Sequence, residues 1–270
     1  MKTLKSILLA ALSLMLILSA VTGAAEGTTK ITVGATPVPH AEILTAAIPL
    51  LAEQGIELIV QEFTDYVLPN LALESGDIDA NYFQHLPYLN DFNANNDTHL
   101  VPLTLVHYEP FGVYPGKTKT IEDLKDGAEI AIPNDTTNEA RALQLLAAQG
   151  LLTLPEGAGL DVTVLDIIDN PKNLVFIELE AAQIPRALPD FDLAVINGNY
   201  ALDAGLNVAT DSVAREASDS LAAETFGNYL VVKEGSEENE ALLALAEVLN
   251  GEVIRKFIDD TYSGSVVPKG

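Results

Sequence analysis

The sequence predicts an α/β fold divided into two lobes, and three observations carry that prediction. Short β-type runs alternate with helix-length amphipathic segments, the pattern of βαβ units and a largely parallel sheet. Helical segments close on Gly55, Gly76 and Gly150, residues suited to the left-handed position after a last turn. Two stretches, "FGVYPGKTKTIEDLKDG" and "GNYLVVKEGSEENEALLALAEVLNG", repeat the order strand, polar turn, helix, as expected if each begins just after a crossing between lobes. Such crossings predict a hinge near residues 111 and 228, with 28–110 plus 228–270 in lobe 1 and 111–227 in lobe 2. A single wide sheet without a cleft is the alternative.

The elements follow in order. "KITVGA" reads as a strand, "PVPHAEILTAAIPLLAEQG" as a helix with Ile43, Leu44, Ala47, Leu50 and Leu51 on one buried face, and "IELIVQEF" as a second strand. "DYVLPNLALESGDIDA" predicts a helix ending at Gly76 and then a strand; "LVPLTLVHYEPFGVYP" is sheet-like. "TIEDLKDGAEIAIPND" predicts a short helix and a strand, and "TTNEARALQLLAAQG" a helix opened by a Thr136–Glu139 capping box. Further strands are expected over 162–168, 174–177 and 192–196.

The chain opens with secretory architecture. Lys2 and Lys5 precede an apolar run from Ile7 to Leu18, too short for a comfortable membrane span, and small residues follow, so 1–24 reads as a cleaved signal peptide. Its loss takes two positive charges from a net −25, leaving −27, a surface that repels nucleic acid and anionic lipid. The absence of cysteine excludes disulfides, thiol catalysis and thiolate metal sites. It also excludes lipidation at "VTGA", where Ala24 stands in the place of a lipid-bearing cysteine. An exported protein, periplasmic or extracellular, is expected.

No G-x-S-x-G, P-loop, G-x-G-x-x-G or H-E-x-x-H occurs, and the four histidines are never three or four residues apart. "DIDAN" at 77–81 imitates the start of a calcium loop but carries Tyr82 and Tyr88 where glycine and glutamate are needed. No enzyme activity, metal or cofactor is therefore expected.

Four stretches remain. In "NYFQHLPYLN" an extended segment puts Phe83 and His85 on one face and Tyr82 on the other, and Pro87 starts a helix carrying Tyr88. Tyr82 is expected in the core, and Phe83, His85 and Tyr88 in a cage around a ligand. "IPNDTTNEAR" places Arg141 in the opening turns of a helix, where it can clamp a carboxylate, or pair with Glu139 or Asp135. "AVINGNYAL" ends a buried strand in Asn197 and Asn199, amides able to bind ammonium and carboxylate or to serve a turn around Gly198. "TFGNYLVV" sets Asn228 at the return crossing.

Long motifs now add to these residues. "FTDYVLPNLALESGDIDANYFQHLPYL", "HYEPFGVYPGKTKTIEDLKDGAEIAIPNDTTNEARAL" and "VINGNYAL" resemble the NlpA/MetQ family of methionine-binding receptors of bacterial ABC importers, from Ile31 to about Tyr262. The resemblance implies a two-lobed, type II-like periplasmic binding protein fold closing on L-methionine, a related amino acid or a methionine-containing dipeptide, with importer membrane subunits as partners. It implies a thioether pocket of Tyr66, Phe83, His85 and Tyr88, a carboxylate clamp at Arg141, and a polar end held by Asn197, Asn199 and Asn228, with Asn138 lining the same turn. The chain departs from the family at Ala24. It also departs at Glu139 and Ala140, where two glycines are usual, and at Phe226, two residues ahead of Asn228. Glu139, as a capping partner of Thr136, is expected to turn away from the ligand. An enzyme acting on amino acids and a surface interaction protein are the rival readings.

Overall fold

The computed structural model describes residues 28–217 and 220–269; the signal-peptide reading of 1–24 and the Ala24 reading lie outside the described residues. The chain runs β1 (Thr29–Ala35), a π-type turn (Pro37–Ala41), α1 (Glu42–Ala52), β2 (Ile56–Glu62), α2 (Leu68–Ser75), β3 (Ala80–His85), α3 (Leu86–Asn96) and β4 (Leu100–Tyr108). A second group follows: β5 (Gly112–Pro115), β6 (Glu129–Pro133), α4 (Thr136–Ala148), β7 (Val175–Leu179), α5 (Ile184–Ala187), β8 (Leu193–Ile196), α6 (Gly198–Asp203) and β9 (Ala214–Arg215). The chain ends with α7 (Leu221–Thr225), β10 (Gly227–Lys233), α8 (Glu240–Leu249), α9 (Glu252–Tyr262) and β11 (Val267–Pro268).

These strands form two sheets, ordered β11-β4-β10-β3-β1-β2 and β7-β6-β8-β5-β9. The first draws on both ends of the described chain, the second on its middle, so the molecule has two α/β lobes. In lobe 1, β1 lies parallel to β2 and β3, and β10 runs antiparallel between β3 and β4. In lobe 2, β6 is parallel to β7 and β8, while β5 is antiparallel to β8 and β9. The chain crosses between sheets through 109–111 and returns through 216–226, which includes α7.

Burial follows the sequence periodicity. Ile43, Leu44, Ala47 and Leu51 of α1 are fully enclosed, with Leu50 packed at the margin of the same cluster. That face meets Val33 and Ala35 of β1 and Leu242 and Leu245 of α8. The core of lobe 2 covers both faces of its sheet, with Ile130, Leu143 and Val195 in one cluster and Ala131, Ile196 and Tyr200 in the other. Gly76 ends α2 at φ 82°, a conformation costly for any residue with a Cβ. Among the described residues no helix is long and apolar enough to cross a membrane.

Three local expectations are corrected. Residues 120–127 form turns rather than a helix; Thr120 and Asp123 bond each other's polar groups, and so short a segment cannot offset helix nucleation. Residues 162–168 form no strand, because Thr163 and Asp166 close a reciprocal capping box around a single 3-10 turn at Val164–Asp166. The cap of α4 is Asp135, whose side chain accepts from Asn138 N, and not Thr136.

The topology gathers the ends of strands. β3, β4, β6 and β8 all finish facing the space between lobes, and β10 begins there. In open α/β sheets this crevice at the carboxyl ends of strands is where ligands bind.

Candidate functional site

One cavity between the lobes is lined by Tyr66, Phe83, His85 and Tyr88 from lobe 1, with Asn228 at the start of β10. Asn138, Arg141, Asn197 and Asn199 line it from lobe 2. All nine residues singled out in the sequence thus share one wall. Gln84, Glu109 and Gly198 complete the lining, and sequence reasoning missed them. The space left between these side chains is only about 20 Å³, so the two sides of the cavity stand close together.

Tyr66, from the turn between β2 and α2, organises the apolar side. Its ring centroid lies 5.7 Å from Phe83, 5.6 Å from Tyr88 and 4.9 Å from Tyr200. Its hydroxyl donates across the cleft to Asn199 Oδ1 at 2.6 Å, and Tyr88 OH donates to the Tyr66 carbonyl at 3.0 Å. Burial pushes both phenols up, so they remain neutral donors. Tyr82 faces the core, fully buried and bonded through its hydroxyl to His107 Nδ1, as the alternation of β3 requires. A register shift in β3 between Tyr82 and Gln84 breaks the alternation there, and the Gln84 amide is committed to Asn70 and Asn81.

Amides form a directional chain in lobe 2. Asp135 Oδ1 accepts from Asn138 Nδ2 at 2.8 Å, and Asn138 Oδ1 accepts from Asn197 Nδ2 at 2.9 Å. The carboxylate fixes the orientation of Asn138, which fixes that of Asn197, because the opposite flip would set two acceptors face to face. Asn138 Oδ1 also meets His85 Nε2 at 3.2 Å, tying the lobes together. His85 Nδ1 caps α3 by accepting from Tyr88 N at 3.1 Å, so its proton sits on Nε2.

Arg141 is buried and already has a partner, neither Glu139 nor Asp135 but Glu216, from the return connection. Its Nε donates to Glu216 Oε1 at 2.8 Å and its Nη2 to Oε2 at 2.6 Å, with a further bond from Nη2 to the Glu109 carbonyl at 3.0 Å. None of these bonds uses Nη1. The guanidinium is stacked between Phe226, at 4.3 Å, and Phe111, at 4.7 Å. Burial pulls the arginine's pKa down and Glu216 pushes it up, the second effect winning; Arg141 holds Glu216 below its usual range against the same burial. Phe226, two residues ahead of Asn228, therefore serves the arginine. Glu139 accepts from Val164 N at 3.0 Å and does not line the cavity. It turns away from the ligand space, although its partner is not the helix start.

Glu109 stands where β4 leaves lobe 1. Its Oε1 lies 2.7 Å from His107 Nε2 and 3.4 Å from His40 Nε2, the second contact too poorly aligned to be a hydrogen bond. His40 Nδ1 meets Thr36 Oγ1 at 2.8 Å. Burial raises the Glu109 pKa, with His40 and then Arg141 opposing. Among the described residues, His40, His107 and Glu109 are the group whose donor atoms converge closely enough to hold a metal ion. His107 and Glu109 are two residues apart, but His40 is distant in sequence, and an H-x-E pair by itself marks no cluster.

The profile of the NlpA lipoprotein family matches residues 31–270. The chain is 40% identical over 250 residues to "Methionine-binding lipoprotein MetQ" of Bacillus subtilis, covering 91% of this chain and 90% of that protein. It superposes on the crystal structure of a putative lipoprotein from Ruminococcus gnavus with a TM-score of 0.89 and 51% identity, covering 90% of this chain and 100% of that one. It also superposes on a nutrient-binding protein from Burkholderia cenocepacia bound to methionine, with a TM-score of 0.85, 40% identity and coverage of 89% and 100%.

Two outcomes follow from the buried charges. Glu216→Gln leaves Arg141 as an unpaired buried cation and is expected to cost about 3–5 kcal/mol in urea unfolding, most of it recovered when Arg141→Met is added. A loss below about 1 kcal/mol would show that the pair is not buried as described. His40, His85 and His107 are pushed from 6.5 to about 3, chiefly by burial. Folding keeps them neutral, so their contribution is complete above pH 6.5 and is lost as pH falls toward 3. Glu109, raised, works oppositely: its contribution is present below 4.5 and lost as pH rises through its folded pKa. Asp135 and Glu139 are raised as well and act with Glu109, while Glu216, held low by Arg141, adds to the loss at acid pH. Because the three histidine shifts are large, the thermal midpoint of the ligand-free protein should drop below pH 6.5; a midpoint unchanged to pH 4 contradicts neutral buried histidines.

Proposed function

The chain belongs to the NlpA lipoprotein family, and from that premise we propose that it is an extracytoplasmic receptor that binds methionine, or a close analogue, between its lobes and presents it to the membrane subunits of an ABC importer. The observation that carries the reading is the meeting, in one cavity, of an aromatic wall with a buried arginine and oriented amides. An unbranched apolar side chain lies among Tyr66, Phe83 and Tyr88, and the ligand carboxylate takes Nη1 of Arg141. The leader read in residues 1–24 supports a location outside the cytoplasm, and the alanine at position 24 speaks against a lipid anchor.

The magnitudes suit such a role. Burying a methionine-sized side chain is worth about 1.5–3 kcal/mol, and a thioether beside aromatic rings adds about 0.3–1.5 kcal/mol. A charge-assisted hydrogen bond gives about 1.5–3 kcal/mol. Several of these, less the cost of association, reach roughly −8 to −12 kcal/mol, micromolar to nanomolar. The lining offers no serine, threonine or cysteine nucleophile beside a base, which favours binding over turnover.

Because cavity residues come from both lobes, a bound ligand stabilises the closed arrangement, in which Tyr66 meets Asn199 and His85 meets Asn138. In this reading 28–110 with 228–270 and 111–227 move as two bodies about the connections, and the closed form is what the importer recognises. Calorimetry with amino acids and methionine-containing dipeptides is expected to show saturable methionine binding without turnover. Arg141→Lys, which keeps a charge for Glu216 but loses the fork, should weaken that binding at least tenfold; unchanged affinity would overturn the carboxylate assignment.

A further inference from the structure

Helix α6 belongs to lobe 2 by its place after β8, yet part of it packs into lobe 1. Leu202 lies against the main apolar cluster of lobe 1, the one that contains Val33, Leu44 and Leu245. The exchange runs both ways: Tyr66, from the turn between β2 and α2, lies against the lobe 2 cluster that contains Tyr200 and Ala201. The rings of Tyr66 and Tyr200 stack between the lobes, with centroids 4.9 Å apart and planes 32° from parallel. Their hydroxyls bond reciprocally. Tyr66 OH donates to Asn199 Oδ1 of α6 at 2.6 Å, and Tyr200 OH donates to the Thr64 carbonyl, in the turn that carries Tyr66, at 3.3 Å. Burial pushes the Tyr200 phenol up, so it stays a neutral donor.

Tyr200 and Leu202 do not line the ligand cavity; Tyr200 borders an outer groove with Pro37, Asp65 and Asp203. Their contacts with lobe 1 are made whatever the cavity holds. Separating the lobes breaks the Tyr200–Thr64 bond, parts the stacked rings and returns the apolar surface of Leu202 to water. The cavity is walled by residues of both lobes, so a bound molecule leaves when the lobes part. The barrier to release therefore includes contacts that the ligand does not make.

We infer that α6 and the turn at 64–66 form a clasp between the lobes, in which Tyr200 and Leu202 set how long a ligand is held without touching it. The inference rests on the receptor reading above and deepens it. Both are positioning residues: Tyr200 acts through Tyr66, whose ring it backs, and Leu202 through the lobe 1 core. Because the clasp makes no ligand contact, its strength enters the release rate as one factor common to all ligands. The ranking of ligands stays with the cavity residues, and the residence time is shared between cavity and clasp.

Stopped-flow release of L-methionine and L-norleucine tests this on wild type, Tyr200→Phe, which keeps the ring and loses the hydroxyl, and Leu202→Ala. Tyrosine fluorescence can report it, since the chain has no tryptophan. Tyr200→Phe should speed release about 2- to 12-fold, the worth of one neutral hydrogen bond, by the same factor for both ligands and with association nearly unchanged. Leu202→Ala should speed it too; if that variant does not fold, Tyr200→Phe decides. The chain has no cysteine, so Glu57→Cys and Glu156→Cys, both exposed, give one dye on each lobe. In the ligand-free protein Tyr200→Phe should shift the distance between the dyes to longer values. Unchanged release in Tyr200→Phe, with or without a lowered thermal midpoint, confines Tyr200 to the packing of lobe 2 and overturns the clasp while leaving the receptor reading intact. Factors that differ strongly between the two ligands would place Tyr200 against the ligand and overturn it as well. If wild type binds neither ligand, the receptor reading fails and the dye pair alone decides the clasp, an unchanged distance overturning it.

Discussion

A sealed space between two lobes can hold charge only in pairs, and the pair of Arg141 with Glu216 organises this one. Glu216 lies in the return connection, yet Oε2 also accepts from Tyr108 OH at 2.6 Å and from Phe111 N at 2.9 Å, and its own N–H donates to the Phe111 carbonyl at 3.0 Å. The carboxylate therefore fastens both connections to each other, to the end of β4 and to α4 at once. Phe111 and Phe226, with ring centroids 4.7 and 4.3 Å from its Cζ, pack the guanidinium as well. Arg141, the proposed carboxylate clamp, is thereby anchored beside both connections between the lobes.

The remaining chemistry is arranged about that anchor by polarity. Aromatic rings from β3, α3 and the turn before α2 form one wall; amides oriented outward from Asp135 form another; a carboxylate bonded to His107, with His40 beside it, forms a third. Each polar group is oriented by a second residue behind it: Asn138 by Asp135, Asn197 by Asn138, Glu109 by His107, and His107 by Tyr82. In the proposed receptor such backing weighs more in recognition than cavity size, since one methylene in an apolar wall is worth only about 1–3 kcal/mol. The bonds that join the lobes, Tyr66 to Asn199 and His85 to Asn138, are made by residues that line the cavity.

The fold and the aromatic wall were legible because they are local. Helical periodicity identified the buried face of α1, glycines at left-handed positions ended the helices, and alternation along β3 separated Tyr82 from Phe83 and His85. The failures were also local contests between short-range options: a threonine–aspartate cap made a 3-10 turn of a β-branched run at 162–168, and Asp135 outcompeted Thr136 for the helix start. Glu216, Glu109, His40 and His107 were not legible as a site. They meet from positions up to 176 residues apart, and in a chain with 39 acidic residues no single one stands out. Arg141 was recognisable as a candidate carboxylate clamp, but the carboxylate that pairs with it, Glu216 rather than Glu139 or Asp135, depended on how the return connection folds back.

A crystal structure of the protein grown with L-methionine tests the central claim most directly. The account predicts a single ligand in this cavity, its side chain against Tyr66, Phe83 and Tyr88 and its carboxylate on Arg141 Nη1 with the Glu216 pair intact. Methionine bound outside the cleft, or inside it with its carboxylate away from Arg141, would contradict it.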